Sequence, residues 1–193
     1  MTLQQVSYPV QFDVDYPDEP LSRASTLFRM IYSIPIFIIL SFASSGMLIA
    51  PLLLMILFKQ KYPRWWFDWN LAMTRFSNRV GAYASLLRDE YPSTDEEQAV
   101  HLNMAYPDAA GQLNRWMPLI KWFLVTPHVI VLSFLGVASF IAIILAWFAI
   151  LFTGRYPRGL FNFVVGVIRW SLRVEAYAIL MVTDEYPPFR LSE

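Results

Sequence analysis

Two long runs of the chain contain no charged side chain. The first extends over 29 residues from Met30 to Phe58, and the second over 33 residues from Trp122 to Gly154. About 18 to 20 consecutive apolar residues are enough for a helix to cross the hydrocarbon core of a bilayer. A soluble protein of 193 residues has too small a core to surround two such segments. The pattern therefore predicts a mainly α-helical integral membrane protein.

A shorter alternating pattern precedes each apolar run. Apolar residues occupy every second position from Val6 to Tyr16 and again from Val100 to Tyr106. This period of two is typical of a strand with one covered face. Because a single short strand is not stable alone, we expect the two strands to pair into a small ribbon at the membrane surface. Extended chain without pairing is the alternative.

The second half of the chain repeats the order of the first half. Tyr-Pro-Asp at 16–18 recurs at 106–108, Lys-Tyr-Pro-Arg at 61–64 recurs as Arg-Tyr-Pro-Arg at 155–158, and Asp-Glu-Tyr-Pro at 89–92 recurs at 184–187. Between the copies lies an acidic polar stretch, residues 93–98, which is typical of a solvated linker. We therefore predict two tandem membrane repeats, residues 1–95 and 96–193.

The length of the apolar runs leaves two topologies open. A straight helix of roughly 45 to 50 Å exceeds the ~30 Å hydrocarbon core. Each run also contains a potential break, at Ser44-Ser45-Gly46 in the first and at Gly136 in the second. Helical hairpins would place all fifteen basic residues on the cytoplasmic face, which agrees with the positive-inside tendency. We favour hairpins, and a single tilted helix for each run is the alternative.

An amphipathic helix is predicted after each Tyr-Pro-Arg motif, over residues 65–87 and 159–182. Each carries two arginines four positions apart, which places them on one helical face. Such a helix suits the membrane interface, with its arginines at lipid phosphates. In the alternatives, the arginines bind carbonyls or pair with Glu175, Asp89 or Asp184, or the second helix spans the membrane. The candidate headgroup residues are Arg64, Arg75, Arg79, Arg155, Arg158, Arg169 and Arg173.

Small residues recur on one face of the second apolar run, at Ala138, Ala142 and Ala146. A stripe of this kind lets helices approach closely in lipid. It favours packing between the two repeats or between two copies of the chain, and packing within one chain is the simpler interpretation.

The residues after the second apolar run carry a family resemblance. The stretch Arg155 to Tyr177 (RYPRGLFNFVVGVIRWSLRVEAY) and the closing TDEYPPF at 183–189 look like the bacterial membrane family called domain of unknown function 4389, DUF4389. The similarity covers nearly the whole chain, and the first half is the looser copy. The resemblance implies a bacterial integral membrane protein, and it supplies no activity, substrate or catalytic residue.

Charge and composition reduce the number of possible activities. Fifteen basic and fifteen acidic residues cancel, so a nucleic-acid-binding surface is not expected. The absence of cysteine excludes disulfides and thiolate metal sites. His101 and His128 have no ligand-spaced neighbours, and no phosphate loop or nucleophile motif occurs. We therefore predict no catalytic residue, no metal and no cofactor.

Three classes of function remain. We expect a non-enzymatic accessory or scaffold protein of the bacterial inner membrane, with multiple passes and cytoplasmic termini. Its expected partners are membrane lipids and a membrane protein or a second copy of the chain. The alternatives are a small transporter or channel formed by an oligomer, and a lipid-modifying enzyme that holds phosphate with the Tyr-Pro-Arg arginines. The apolar runs show no polar pathway for transport, and the chain shows no base for catalysis.

Overall fold

A computed structural model of the protein describes residues 8–44, 49–94 and 96–192. Most of the described chain is helical, and two short strands complete it. The elements in chain order are β1 (Val10–Val14), α1 (Arg23–Ser44), α2 (Ile49–Leu54), a π-helical turn (Met55–Lys59), α3 (Arg64–Ala84), β2 (Val100–Met104), α4 (Met117–Leu124), α5 (Thr126–Thr153) and α6 (Arg158–Ala178). The two predicted amphipathic helices are confirmed as α3 and α6.

The two strands form an antiparallel ribbon, as their alternating pattern predicted. Phe12 lies opposite Leu102, and these two residues are equivalent in the two repeats. The pairing is therefore symmetric, and a pseudo-twofold axis passes between them. Every second side chain of each strand is buried and the others are exposed, so one face of the ribbon covers the core.

The predicted hairpin is wrong for the second apolar run. Helix α5 continues from Thr126 to Thr153 without a break at Gly136. A single glycine costs a helix only about 1 kcal/mol relative to alanine, and among the described residues no atom outside the helix lies within 4 Å of where its Cβ would be. Nothing at that position therefore forces a turn. In the first run, Ser45 and Gly46 of the predicted break lie outside the described residues.

Helices α5 and α6 are antiparallel neighbours. A turn of four residues, 154–157, joins them, and they meet again near their far ends, where the Trp170 indole donates to His128 Nδ1 at 3.0 Å. In the first repeat, α1 packs on α3 in a similar way, with Ile36 of α1 in one buried cluster with Phe76 and Val80 of α3. Each repeat therefore contributes an apolar helix and an amphipathic helix that run side by side.

Each strand lies on the amphipathic helix of the other repeat. Strand β1 packs on α6, and strand β2 packs on α3. The segment containing β1 follows α6 along its length, because the Tyr8 hydroxyl donates to the carbonyl of Arg173 at 3.3 Å and the Tyr16 ring meets the edge of Phe161 at 4.9 Å. The two repeats are therefore interlocked by exchanged strands.

The apolar helices are largely uncovered. Only 17% of the most apolar stretch of α5 is buried inside the protein, and within the described residues α5 is the one helix found to be long and apolar enough to cross a membrane. We call the exposed large side chains of α1 and α5 the apolar face. It includes Phe28, Ile31, Phe37 and Ile38 on α1, and Phe134, Ile141, Leu145 and Phe152 on α5.

Candidate functional site

Equivalent ion pairs stabilise the end of each repeat. Arg29 pairs with Asp89 in the first repeat, and Lys121 pairs with Asp184 at 2.7 Å in the second. Both cationic side chains are fully buried. Burial lowers the pKa of Lys121, and the Asp184 carboxylate opposes that shift. Because the pairs tie Arg29 on α1 and Lys121 on α4 to the loops after the amphipathic helices, their role is structural.

The two arginines in the middle of α3, and the two in the middle of α6, form hydrogen bonds inside the protein. Arg75 Nε donates to the Leu102 carbonyl at 2.9 Å, and Arg169 Nε donates to the Phe12 carbonyl at 2.7 Å. These contacts are equivalent, and each crosses to the strand of the other repeat. Arg79 and Arg173 also donate to backbone carbonyls, of Ser93 and Ser192. The carbonyl-binding alternative therefore describes all four contacts.

Two further arginines lie beside tyrosines that follow the strands. The Tyr16 hydroxyl donates to the Tyr156 carbonyl at 2.5 Å, and the Tyr106 hydroxyl donates to the Tyr62 carbonyl at 2.6 Å. The guanidinium group of Arg158 lies 4.9 Å from the centre of the Tyr16 ring, and that of Arg64 lies 4.7 Å from the centre of the Tyr106 ring. The exposed set Arg64, Arg155 and Arg158, which we call the rim arginines, lies just beyond the ends of the two apolar runs of the sequence.

The alanine stripe of α5 faces the protein interior. Ala142 and Ala146 are buried, and Ala138 is half-buried. The first two belong to the same buried cluster as Leu52 and Ile56 of the first repeat. The stripe therefore contributes to the core that the two repeats share.

A cavity of about 340 Å³ lies between α3, α5 and α6. Polar side chains form much of its lining, and apolar side chains of the same helices form the rest. The cavity opens to the surface at Ser77 and Ser171, which are exposed. The polar lining includes Asn70, Thr74, Asn78, Ser139, Ser171 and Glu175.

Several polar groups of this cavity have no partner. The Thr74 and Ser139 hydroxyl oxygens are buried without a hydrogen bond to any described residue. Glu175 is the one ionisable side chain among the described lining residues, and no described residue pairs with its carboxylate. Burial raises the pKa of Glu175 above its usual value. Unsatisfied polar groups of this kind are rare in folded proteins, so this cluster is the candidate functional site.

His128 belongs to a separate aromatic cluster. Its ring stacks on Phe189 with centroids 3.9 Å apart, and it accepts a hydrogen bond from Trp170. Within the described ranges, no group of three potential metal ligands occurs. In the first repeat, Ile36 occupies the equivalent position, so the histidine is a feature of one copy.

Together, these features define a tandem-repeat helical protein with an exposed apolar face and a polar cavity. The chain belongs to the family described as Domain of unknown function (DUF4389), which matches residues 23–94 and 115–190 and therefore occurs twice, as predicted. Both strands lie outside the matched ranges. No curated protein and no solved structure matches the chain.

The ion pairs and the cavity were not predicted from the sequence, for different reasons. Arg29 and Lys121 occupy equivalent positions in the two repeats, as do Asp89 and Asp184, so the alignment of the repeats carries a signal of the pairing. Glu175 occurs in one copy only, with Gly81 at the equivalent position. A single carboxylate on an amphipathic helix carries no signal of a cavity, because the neighbouring helices create it.

Proposed function

We propose that this protein is a non-enzymatic accessory or scaffold protein that is seated in a membrane, the bacterial inner membrane, through its apolar face. The observation that carries the proposal is the extent of exposed apolar surface on α1 and α5. A contiguous patch of this kind is unusual on a soluble monomer and is typical of a membrane or protein contact. Lipid is the favoured contact because the exposed side chains extend along α5 over nearly its whole length.

The order of the elements supports an arrangement in which α5 lies along one leaflet. Helix α6 runs beside α5, and β1 follows the other side of α6. If α5 crossed the bilayer upright, β1 would lie at membrane depth with it. Asp13 on β1 pairs with Arg169 at 3.0 Å and has a carboxyl side chain that is 56% exposed, and an exposed charge at that depth is costly even when it is paired. We therefore prefer the in-plane arrangement to the multi-pass topology, which remains the competing proposal.

The rim arginines supply the anionic-lipid contact in this proposal. Because they lie just beyond the ends of the two apolar runs, they would lie near headgroups when the apolar face is in the acyl region. Arg155 has an exposed side chain, and Arg64 and Arg158 rest on tyrosine rings. Their position favours them over the four arginines that bind carbonyls.

A depth measurement along α5 tests the arrangement. The chain has no cysteine, so single cysteines at Phe134, Ile141 and Phe152, all exposed on one face, can carry a fluorophore in vesicles that contain quenchers at known depths. Phe134 and Phe152 are separated by roughly 27 Å along a straight helix. The in-plane arrangement predicts equal depths at the three sites, and a crossing helix predicts depths that change along the series.

Two controls complete this experiment. A label at exposed Thr94, in the linker, should remain unquenched in either arrangement. Replacing the rim arginines by glutamine should reduce binding to vesicles with anionic lipid and leave binding to neutral vesicles unchanged, whereas Arg190→Gln, an exposed arginine, should have little effect. A chain that stays monodisperse without detergent and does not bind vesicles would refute the proposal.

A further inference from the structure

We propose that the cavity between α3, α5 and α6 binds a primary ammonium group, which it holds through the Glu175 carboxylate and neighbouring side-chain oxygens. The ammonium group belongs to an aminophospholipid headgroup or to a free small amine. The inference rests on the cavity alone and does not depend on the membrane arrangement.

The polar lining of the cavity is rich in hydrogen-bond acceptors. The Asn70 amide donates to the Trp66 carbonyl at 2.8 Å, and the Asn78 amide donates to the Thr74 carbonyl at 2.7 Å. Each asparagine therefore spends a donor on its own helix and keeps its amide oxygen as an acceptor. An ionised carboxylate adds acceptors and no donor. The described lining therefore offers more acceptors than free N–H donors, and an ammonium group provides three donors.

The unpartnered hydroxyls lie in the same cavity as Glu175. Thr74 is on α3 and Ser139 is on α5, so acceptor oxygens face the space from two helices besides α6. A hydroxyl can donate to a carboxylate or accept from an ammonium group. Buried polar atoms that lack a partner are costly, and an ammonium ligand would satisfy them together with Glu175.

The size of the cavity fits a small headgroup. A volume of about 340 Å³ corresponds to roughly ten waters at about 30 Å³ each. That space admits an ethanolamine moiety, and the opening at the exposed Ser77 and Ser171 provides an entrance. Trp69, which also lines the cavity and is partly exposed, offers a ring face for a cation.

The comparison between repeats separates Glu175 from the structural charges. Arg75 and Arg169, and the two buried ion pairs, occur in both copies with equivalent partners. Glu175 has no equivalent, because Gly81 occupies that position, and no partner in the described part of the chain. A half-buried carboxylate with no described partner reduces stability at neutral pH, which is expected of a residue that serves binding.

Binding can be measured directly on the full chain in non-ionic detergent. The probes are ethanolamine and dihexanoyl phosphatidylethanolamine, and the matched controls are choline and dihexanoyl phosphatidylcholine, which carry the same charge without N–H donors. Ligand-observed NMR titration gives the affinity of each. We expect both ammonium probes to bind at least tenfold more tightly than their choline counterparts.

Substitutions then assign the binding to the cavity. Glu175→Gln should weaken ammonium binding at least tenfold, and Glu96→Gln, which changes an exposed carboxylate in the linker, should leave it unchanged. Ser171→Phe should also abolish binding, because the larger side chain would fill the opening of the cavity. Binding in the wild type should strengthen as pH rises, because no other ionisable described residue lines the cavity and only ionised Glu175 attracts the cation.

The relative affinities of the two ammonium probes identify the source of the ligand. Tighter binding of the phospholipid than of ethanolamine assigns the site to a lipid headgroup, and equal affinities assign it to free amines. The proposal is overturned if neither ammonium probe binds, if choline compounds bind equally well, or if Glu175→Gln has no effect. Each of these results is independent of the depth of α5 in a vesicle.

Discussion

The Lys121–Asp184 ion pair allows a quantitative test of how the end of a repeat is stabilised. In Asp184→Asn, the ammonium group of Lys121 stays inside the protein and loses its counter-charge. It keeps the Thr183 carbonyl, to which it donates at 2.7 Å, and the Tyr177 ring, whose centre lies 4.8 Å away. The new amide oxygen can still accept from the Asn114 backbone N–H, which now donates to the carboxylate at 2.5 Å. The substitution therefore removes the charge and little else.

The expected loss follows from burial. Breaking a buried ion pair typically costs about 3–5 kcal/mol. The Lys121 side chain is 1% exposed and that of Asp184 is 16% exposed, so water reaches the acid to some extent, and we expect about 3 kcal/mol. For a chain of this size, 1 kcal/mol corresponds to roughly 2–4 °C in Tm, which gives a shift of about 6–12 °C.

Thermal unfolding in detergent, followed by circular dichroism, measures this shift. The matched control is Asp68→Asn, because the Arg64–Asp68 pair at 3.3 Å is 68% and 55% exposed; we expect less than about 0.5 kcal/mol there. Adding Lys121→Met to Asp184→Asn should restore at least half of the lost stability, since no uncompensated charge remains. Equal shifts for the two aspartate variants, or no recovery in the double variant, would refute the reasoning.

Three further predictions use the same assay. Glu175→Gln should stabilise the protein at neutral pH, because a folded-state pKa above the usual value makes the wild type lose stability as pH rises through that range; an advantage that does not grow with pH would contradict this. Tyr16→Phe and Tyr106→Phe should each cost about 1 kcal/mol for the lost hydrogen bond, and markedly unequal losses would argue against the symmetry. Gly154→Ala should cost about 1 kcal/mol, because Gly154 ends α5 with φ at 74°, and a neutral effect would show that the turn relaxes.

Sequence patterns predicted those features that depend on local periodicity. The alternation around Phe12 and Leu102 predicted two strands that pair, and the spacing of apolar residues predicted the helices after each Tyr-Pro-Arg motif. The hairpin predicted at Gly136 was wrong, because a single glycine is also compatible with a continuous helix. Local patterns also did not predict on which repeat each strand packs, since equivalent helices offer equivalent surfaces.

The candidate cavity could not be predicted from the sequence. The environment of Glu175 is set by α3 and α5, which are distant in sequence. Because Glu175 occurs in only one of the two repeats, it also gives no repeated signal. The repetition of Arg75 and Arg169 in the two copies is visible in the sequence, but their partners are not. The partners are the strands of the opposite copy, and they follow only from the strand exchange seen in the structure.

The exchanged strands bear on how such a chain could have arisen. In the tandem chain each strand packs on the helix of the other copy, so a single copy that kept these contacts would be complete only as a homodimer in which two molecules exchange strands. Fusing two copies in tandem makes that encounter intramolecular, and assembly no longer depends on protein concentration. The second copy is then released from strict identity, and a residue such as Glu175 can appear on one side of the axis alone.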